Sequence, residues 1–176
     1  MSEIIITSPL DLKQLEIIRD MVAANPTIVL SGSYALMVED VKTRRQVKDL
    51  DFLMPQGTKF VRPESIKHRP ASTDYLPNEY WERDTYRCPG VVEAGSYISG
   101  VDIDVFSPTE DTPDLTHFCA NHTLRYKVDE ETHEIEIDVL HPEIVMMFKL
   151  MFSLDPESTT RHKHITDLVY TTAALL

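Results

Sequence analysis

The segment Ile28–Met54 constrains the fold most, because it joins an apolar strand to a glycine turn and then to a strand that carries two acids. The apolar run at 28–30 predicts a buried strand, and the small residues Ser-Gly-Ser at 31–33 predict a tight turn after it. A short apolar helix is predicted over 34–38, and a second strand over 49–54. Strand, helix and strand in close succession indicate an α/β domain.

The two acids of the second strand, Asp49 and Asp51, are spaced so that both side chains point to the same face. Neighbouring carboxylates repel each other unless a cation lies between them, and a divalent metal ion is the usual cation. Gly32 precedes a helix start, where free backbone N–H groups suit a phosphate group. An acidic metal-binding pair beside a phosphate-binding turn indicates phosphoryl or nucleotidyl transfer.

Length and charge exclude several classes of protein. A chain of 176 residues predicts one domain with a full hydrophobic core, and a net charge of -12 disfavours a protein that coats nucleic acid. We expect a cytoplasmic protein with no membrane partner, because no apolar run reaches the roughly 20 residues of a membrane span and no signal-peptide pattern is present.

A local basic cluster is a candidate to contact an acceptor or a phosphate group; it comprises Lys42, Arg44, Arg45 and Lys48.

The regions on either side of the glycine turn differ in character. A helix is predicted over 9–24, with Ser8 as its N-cap and Asp11 completing a capping box. The proline-rich segment 56–96 is predicted to be a loop-rich insertion with short elements. Its aromatic residues either pack on the core, which is the favoured interpretation, or stack against a base; they are Tyr75, Tyr80, Trp81 and Tyr86.

Strands return after the insertion. The segments 91–98 and 101–106 are predicted to be antiparallel neighbours. In the second of them Asp102 and Asp104 share a face, so either can supply a third carboxylate beside the acidic pair. A third carboxylate there would complete a two-metal site, and Asp104 is the favoured candidate.

The last third of the chain is predicted to hold a hairpin and then two helices. The hairpin pairs 123–128 with 134–140, and its second strand carries one more candidate acid, Asp138. Pro142 opens an almost wholly apolar helix, and Ser158 caps the final one.

Each of the two C-terminal helices carries a polar residue of interest. Lys149 stands in the apolar helix, and a buried lysine is costly without a partner. Asp167 on the final helix either pairs with Lys163, one turn before it, or turns toward the site. The residues of this helix expected to face the core are Ile165, Leu168, Val169 and Thr172.

Taken in order, these residues resemble the polymerase-β-type nucleotidyltransferase superfamily, whose motif is Gly-Ser, then Asp-x-Asp, then an acid on a later strand. The tail is similar to the AbiEii-like minimal nucleotidyltransferases, with Pro-Glu before a helix that bears a lysine, and then a basic stretch that ends in aspartate. The gap between Ser33 and Asp49 is longer than is common in the family. The matching residues are Gly32, Ser33, Asp49, Asp51, Asp104, Pro142, Glu143, Lys149, Arg161, Lys163 and Asp167.

The resemblance implies an α/β (α+β) fold, with a short nucleotidyltransferase-like mixed sheet flanked by helices. The core would span 1–140, including the insertion at 56–96, and the C-terminal helical part would span 141–176 in the same globular unit. The implied catalytic and metal-binding residues are Asp49, Asp51 and Asp104, with Asp102 or Asp138 as alternatives for the third. The implied nucleotide-binding residues are Gly32, Ser33, Lys149, Lys163 and Asp167.

The resemblance further implies Mg2+ (or Mn2+) as cofactor and transfer of a nucleotide from an NTP to an acceptor hydroxyl. The acceptor implied by the AbiEii-like group is a tRNA end, in a toxin-like or phage-defence role with an antitoxin partner. Two alternatives stay open. The acceptor is instead a small molecule or a protein, or the chain is a catalytically silent relative that acts as a binding protein.

Overall fold

The structure is a computed structural model that describes residues 2–39, 46–69, 81–93, 95–154 and 161–175. The helices in these residues are α1 (Pro9–Ala24), α2 (Gly32–Val38), α3 (Pro142–Leu154) and α4 (Arg161–Leu175), with a short 3-10 turn at Leu115–His117. The strands are β1 (Ser2–Glu3), β2 (Val29–Ser31), β3 (Asp49–Leu53), β4 (Lys67–His68), β5 (Trp81–Cys88), β6 (Val91–Glu93), β7 (Ser96–Ile98), β8 (Val101–Pro108), β9 (Cys119–Val128) and β10 (Glu131–Leu140).

One mixed sheet of eight strands forms the centre of the described structure, in the order β1-β9-β10-β2-β3-β8-β5-β4. The pairs β10–β2 and β3–β8 are parallel, whereas β2–β3, β5–β8 and β9–β10 are antiparallel. The α/β (α+β) class with a mixed sheet flanked by helices is therefore confirmed. None of the described helices has the length and apolar character needed to cross a membrane.

Helix α1 begins and ends where its sequence predicts. The Ser8 hydroxyl accepts a hydrogen bond from the Asp11 amide, and the Asp11 carboxylate accepts one from the Ser8 amide, so the predicted capping box is present. At the other end the Asn25 amide donates to the Met21 carbonyl, and Pro26 follows. The helix buries Leu15 and Ile18 fully in the core.

The sheet has one apolar face and one acidic face at its centre. Alternate residues of β3 and β8 are fully buried; they are Leu50, Phe52, Ile103 and Val105. Helix α1 lies close to the sheet, since it contacts β10 and its Lys13 donates to the carbonyl of Pro89 just after β5. The intervening residues of the two strands are the acids, which point to the opposite face beneath α3 and α4.

The predicted hairpin is confirmed and is longer than expected. Strands β9 and β10 pair along ten residues each, from Glu131 opposite Val128 to Leu140 opposite Cys119. The turn residues Asp129 and Glu130 both have positive φ, at 48° and 68°, which is the backbone of a two-residue type I′ turn. This turn twists in the same sense as the strands and so favours a long regular ladder.

The prediction for the insertion is wrong at two points. Residues 81–88, expected within a loop-rich stretch, form the eight-residue strand β5 and pair antiparallel with β8. The segment 91–98 therefore does not pair with β8; its strands β6 and β7 pair with each other in a separate two-stranded sheet. Strand β5, and not the 91–98 segment, pairs with β8 because β5 buries Trp81, Thr85 and Tyr86. Val92 and Tyr97 of the other segment stay about 70% exposed.

Candidate active site

The acidic residues of β3 and β8 lie side by side because the two strands run parallel in register. Asp51 pairs with Asp104 across the ladder, and Asp49 pairs with Asp102. The pocket on this face of the sheet is lined by Asp49, Asp51 and Asp104, and Asp102 is not among its lining residues. Of the two acids of β8, Asp104 therefore lines the same pocket as Asp49 and Asp51.

Gly32 has a structural reason to be glycine. Its φ is +65°, and a Cβ atom built on it would lie 1.9 Å from the Asp51 Oδ2 atom. Any other residue would both adopt a left-handed backbone and collide with the Asp51 carboxylate. The turn between β2 and α2 is therefore packed directly against the acidic strand, which holds Asp51 against backbone instead of bulk water.

A buried polar cluster joins three elements at the floor of the pocket. The Lys149 ammonium group on α3 donates to the Asp167 Oδ2 atom on α4 at 2.7 Å and to the Ser33 hydroxyl on α2 at 2.9 Å. The Ser33 hydroxyl in turn donates to Asp167 Oδ2 at 3.2 Å. The three side chains are almost fully buried, so their charges are screened little by solvent.

This cluster settles which lysine Asp167 contacts. From the sequence, Asp167 either paired with Lys163 or turned toward the site, and in the structure its carboxylate accepts a hydrogen bond from Lys149. Lys163 instead forms a salt bridge with Asp49 at 2.8 Å, with both side chains more than a third exposed.

The orientation of α4 differs from the prediction for the same reason. Ile165 and Val169 were expected to face the core, yet they are 41% and 60% exposed, and Thr172 is exposed as well. Asp167 is 2% exposed, and Leu168 is half-buried. The prediction is wrong because a buried lysine on α3 requires its carboxylate partner more strongly than two apolar side chains require burial.

Burial and mutual repulsion change the acidity of the two facing acids. Burial raises the pKa of Asp51 to about 6, and the neighbouring Asp104 carboxylate adds to the shift, against the attraction of Lys163 and Lys149. Burial also raises the pKa of Asp104, although the Arg83 guanidinium opposes the shift. The negative charge of the two carboxylates is thus only partly compensated by the protein cations around them, which is the condition that attracts a further cation.

A divalent metal ion fits these residues chemically. Carboxylate oxygens are the ligands that Mg2+ and Mn2+ prefer. The Asp104 Oδ1 atom is buried and has no hydrogen-bond donor, and Asp51 forms no hydrogen bond with any described side chain. However, no three His, Cys, Asp or Glu side chains in the described part of the chain converge on one point. Asp49 and Asp104 are each turned toward a protein cation, Lys163 and Arg83.

The other wall of the pocket is apolar and largely aromatic. Trp81 and Phe106 reach it from β5 and β8, and Phe148 and Phe152 reach it from α3. The Trp81 and Phe148 rings meet edge to face with centroids 5.6 Å apart, and Phe152 stacks on His164 of α4 at 5.4 Å. A planar ring that entered the pocket would therefore contact both charge and aromatic surface.

Comparison with known proteins adds one distant likeness. No family model matches the sequence, and no curated protein matches it. A solved structure described as "Crystal structure of putative nucleotidyltransferase from H. pylori" superposes with a TM-score of 0.46 and 15% sequence identity. The alignment covers 92% of this chain and 66% of that chain, so this chain spans just under two thirds of its neighbour's length.

The remaining candidate residues lie away from the pocket. Asp102 forms salt bridges with Arg69 at 3.2 Å and Arg87 at 2.9 Å. Asp138 accepts a hydrogen bond from Asn121 on β10's neighbour strand and lies two strands from β3. Lys48 is exposed beside β3, and the rest of its basic cluster falls outside the described residues, as do Tyr75 and Tyr80.

Sequence reasoning missed two groups of residues in the site. Arg83 and the pocket-lining role of Trp81 lie on β5, which was predicted as loop because charges at 82, 83, 84 and 87 hide its alternation. Residues 81, 83 and 85 lie on one face of β5 and Tyr86 lies on the other, and this period of two was the signal that could have identified the strand. The sequence did not single out Phe148 and Phe152 of α3, because that helix is almost wholly apolar and no residue pattern separates its pocket side from its other sides.

Proposed function

We propose that the protein is a metal-dependent nucleotidyltransferase that moves an NMP from an NTP to an acceptor hydroxyl. The observation that carries the proposal is the shared pocket. Three carboxylates on two adjacent parallel strands, two lysines and the Gly32 turn all line one opening. Carboxylates alone would suit many kinds of cation site. Carboxylates and lysines around one pocket suit a phosphate-bearing substrate, because phosphate groups bind both metal ions and lysine side chains.

The three pocket carboxylates would hold the metal. Asp49, Asp51 and Asp104 would be the ligands, and a divalent ion held there would supply charge stabilisation for phosphoryl chemistry. By the sequence resemblance, Asp104 would also help to deprotonate the acceptor hydroxyl.

The lysines would bind the triphosphate. Lys163 lies 34% exposed at the pocket and can leave Asp49 for a phosphate oxygen at little cost, because exposed salt bridges contribute little. Lys149 is held by Asp167 and Ser33, so it presents a fixed positive charge from below. The aromatic wall opposite offers a surface on which the base of the nucleotide can stack.

Nucleotide binding can be tested by thermal denaturation with MgATP, MgCTP, MgGTP and MgUTP. We expect at least one of the four to raise the melting temperature, and the rise should need the divalent ion. Asp51→Asn should abolish that metal-dependent rise, whereas Asp138→Asn, on the same sheet but outside the pocket, should keep it. The absence of a metal-dependent shift with all four nucleotides would contradict the proposal.

For the acceptor, we propose a tRNA end, on the sequence resemblance to the AbiEii-like group, with a toxin-like or phage-defence role. The net charge of -12 opposes a broad RNA-binding surface, so the contact would be confined to one RNA end. Incubation with α-labelled NTPs and separate pools of tRNA, protein and aminoglycosides would locate the label. Label in protein or aminoglycoside alone would replace the tRNA proposal and leave nucleotidyl transfer intact.

A further inference from the structure

Arg83 contributes a positive charge inside the acidic site, and this charge was not predicted from the sequence. Strand β5 pairs Thr85 with Asp104 and Arg83 with Phe106, so the Arg83 side chain lies on the acidic face. Its guanidinium donates to the Asp104 Oδ2 atom at 2.7 Å, and each of the two side chains is 13% exposed. A pair this short and this buried is a strong interaction, because water screens it little.

The other ion pairs around the acids are much weaker by the same criterion. Lys163 and Asp49 are 34% and 40% exposed, and Arg87 and Asp102 are 46% and 29% exposed. Exposed pairs of this kind contribute little to stability and exchange readily with solvent ions. Arg83 is therefore the protein cation that holds a pocket carboxylate most firmly.

This pairing leaves Asp104 half satisfied. One carboxylate oxygen is bound by Arg83, and the other, Oδ1, is buried without a hydrogen-bond donor among the described residues. A buried carboxylate oxygen without a partner is costly, so one guanidinium does not fully offset the cost of burying this carboxylate. A second cation, such as a metal ion, would bind Asp104 favourably. However, the Arg83 guanidinium already occupies one oxygen of that carboxylate.

We propose that Arg83 is a built-in competitor of the divalent metal ion at Asp104. With the metal absent, the guanidinium is paired with Asp104; with a metal bound, Asp104 would share its charge between the two. Arg83 thereby sets how much free metal the site requires. The inference rests on the proposed metal-dependent function, and it adds a residue that controls loading without touching substrate.

The surroundings give Arg83 a place to remain when its carboxylate is shared. The guanidinium carbon already lies 5.9 Å from the centroid of the Phe106 ring, within the range of a cation–π contact. Phe106 is half-buried at the pocket wall. The arginine can thus move along an aromatic face that is already present, without exposing an unsatisfied charge to an apolar wall.

The competition can be measured without any turnover. Mn2+ binding to the intact protein would be followed by electron paramagnetic resonance of the free ion, in wild type, Arg83→Gln and Arg87→Gln. Removing a buried charge adjacent to the ligand should tighten Mn2+ binding by about tenfold or more. Arg87→Gln removes the same kind of charge from the same strand but from Asp102, outside the pocket, so its affinity should stay within about twofold of wild type.

Three outcomes decide the matter. If wild type binds Mn2+ and Arg83→Gln binds it no more tightly, the inference is overturned while the metal site stands. If wild type does not bind Mn2+, or if Asp51→Asn binds it as well as wild type, both the metal site and the inference fail. If Arg83→Gln does not give a cooperative melting transition, Arg83→His takes its place and is measured at about pH 8, where an unperturbed imidazole is largely neutral. Its Mn2+ affinity at that pH must then exceed that of wild type, and an equal or lower affinity overturns the inference.

Discussion

The buried cluster beneath the pocket allows a quantitative prediction about stability. The chain has two lysine–aspartate salt bridges that are nearly equal in length and differ in burial. Lys149 and Asp167 meet at 2.7 Å with side chains 6% and 2% exposed, and Lys163 and Asp49 meet at 2.8 Å with side chains 34% and 40% exposed. Lys149→Met fills the same space but leaves Asp167 charged and buried. Breaking a buried pair on one side costs roughly 3–5 kcal/mol, whereas an exposed pair contributes roughly 0–1 kcal/mol.

Urea denaturation followed by circular dichroism would measure both effects. We expect Lys149→Met to lower the free energy of unfolding by roughly 3 kcal/mol or more, and Lys163→Met by roughly 1 kcal/mol or less. The double variant Lys149→Met/Asp167→Leu should recover part of the loss, since no charge then remains buried. Equal losses for the two lysine variants would refute the reasoning, because distance alone would then decide the energy.

Three further perturbations follow from the described geometry. Gly32→Ala places a Cβ atom 1.9 Å from Asp51 Oδ2, so it should lower the melting temperature by more than Gly57→Ala, which has a similar positive φ but nothing within 4 Å; equal losses would contradict the close approach. Asp51 has a folded-state pKa of about 6 against 3.8 for the free group, so its ionisation costs stability as pH rises from about 4 to about 6. Asp51→Asn should therefore melt higher than wild type at pH 7.5 and equally at pH 3.5, and a pH-independent difference would contradict this assignment. Ser8→Ala removes the N-cap of α1 and should cost about 1 kcal/mol in urea denaturation, with no effect on nucleotide binding.

The parts of the fold that local chemistry determines were predictable from the sequence. The bounds of α1 follow from Ser8, Asp11 and the Asn25-Pro26 break, and the β9–β10 hairpin follows from two alternating strands around a short polar turn. The pairing of Asp51 with Asp104 follows once β3 and β8 are neighbours. For α1 and the hairpin, a short stretch of chain contains most of the information that the structure uses.

The parts that depend on distant contacts were not predictable. The strand β5 is rich in charge, and only the acids of β8 and the pocket wall explain why Arg83 and Trp81 lie inside. The face of α4 was predicted from Ile165 and Val169, whereas the structure buries Asp167 to satisfy Lys149. Both errors occur at the candidate site, where polar pairing outweighs apolar periodicity.

The most direct test of the central claim is transfer of labelled nucleotide by the purified protein with Mg2+. The acceptor is whichever of the three pools (tRNA, protein or aminoglycosides) becomes labelled. Wild type should transfer label in a metal-dependent reaction. Asp51→Asn should reduce the rate by at least about a hundredfold, as expected when charge stabilisation of the transition state is lost. Asp138→Asn should react at the wild-type rate, because Asp138 lies outside the pocket. Full transfer by Asp51→Asn would contradict the account.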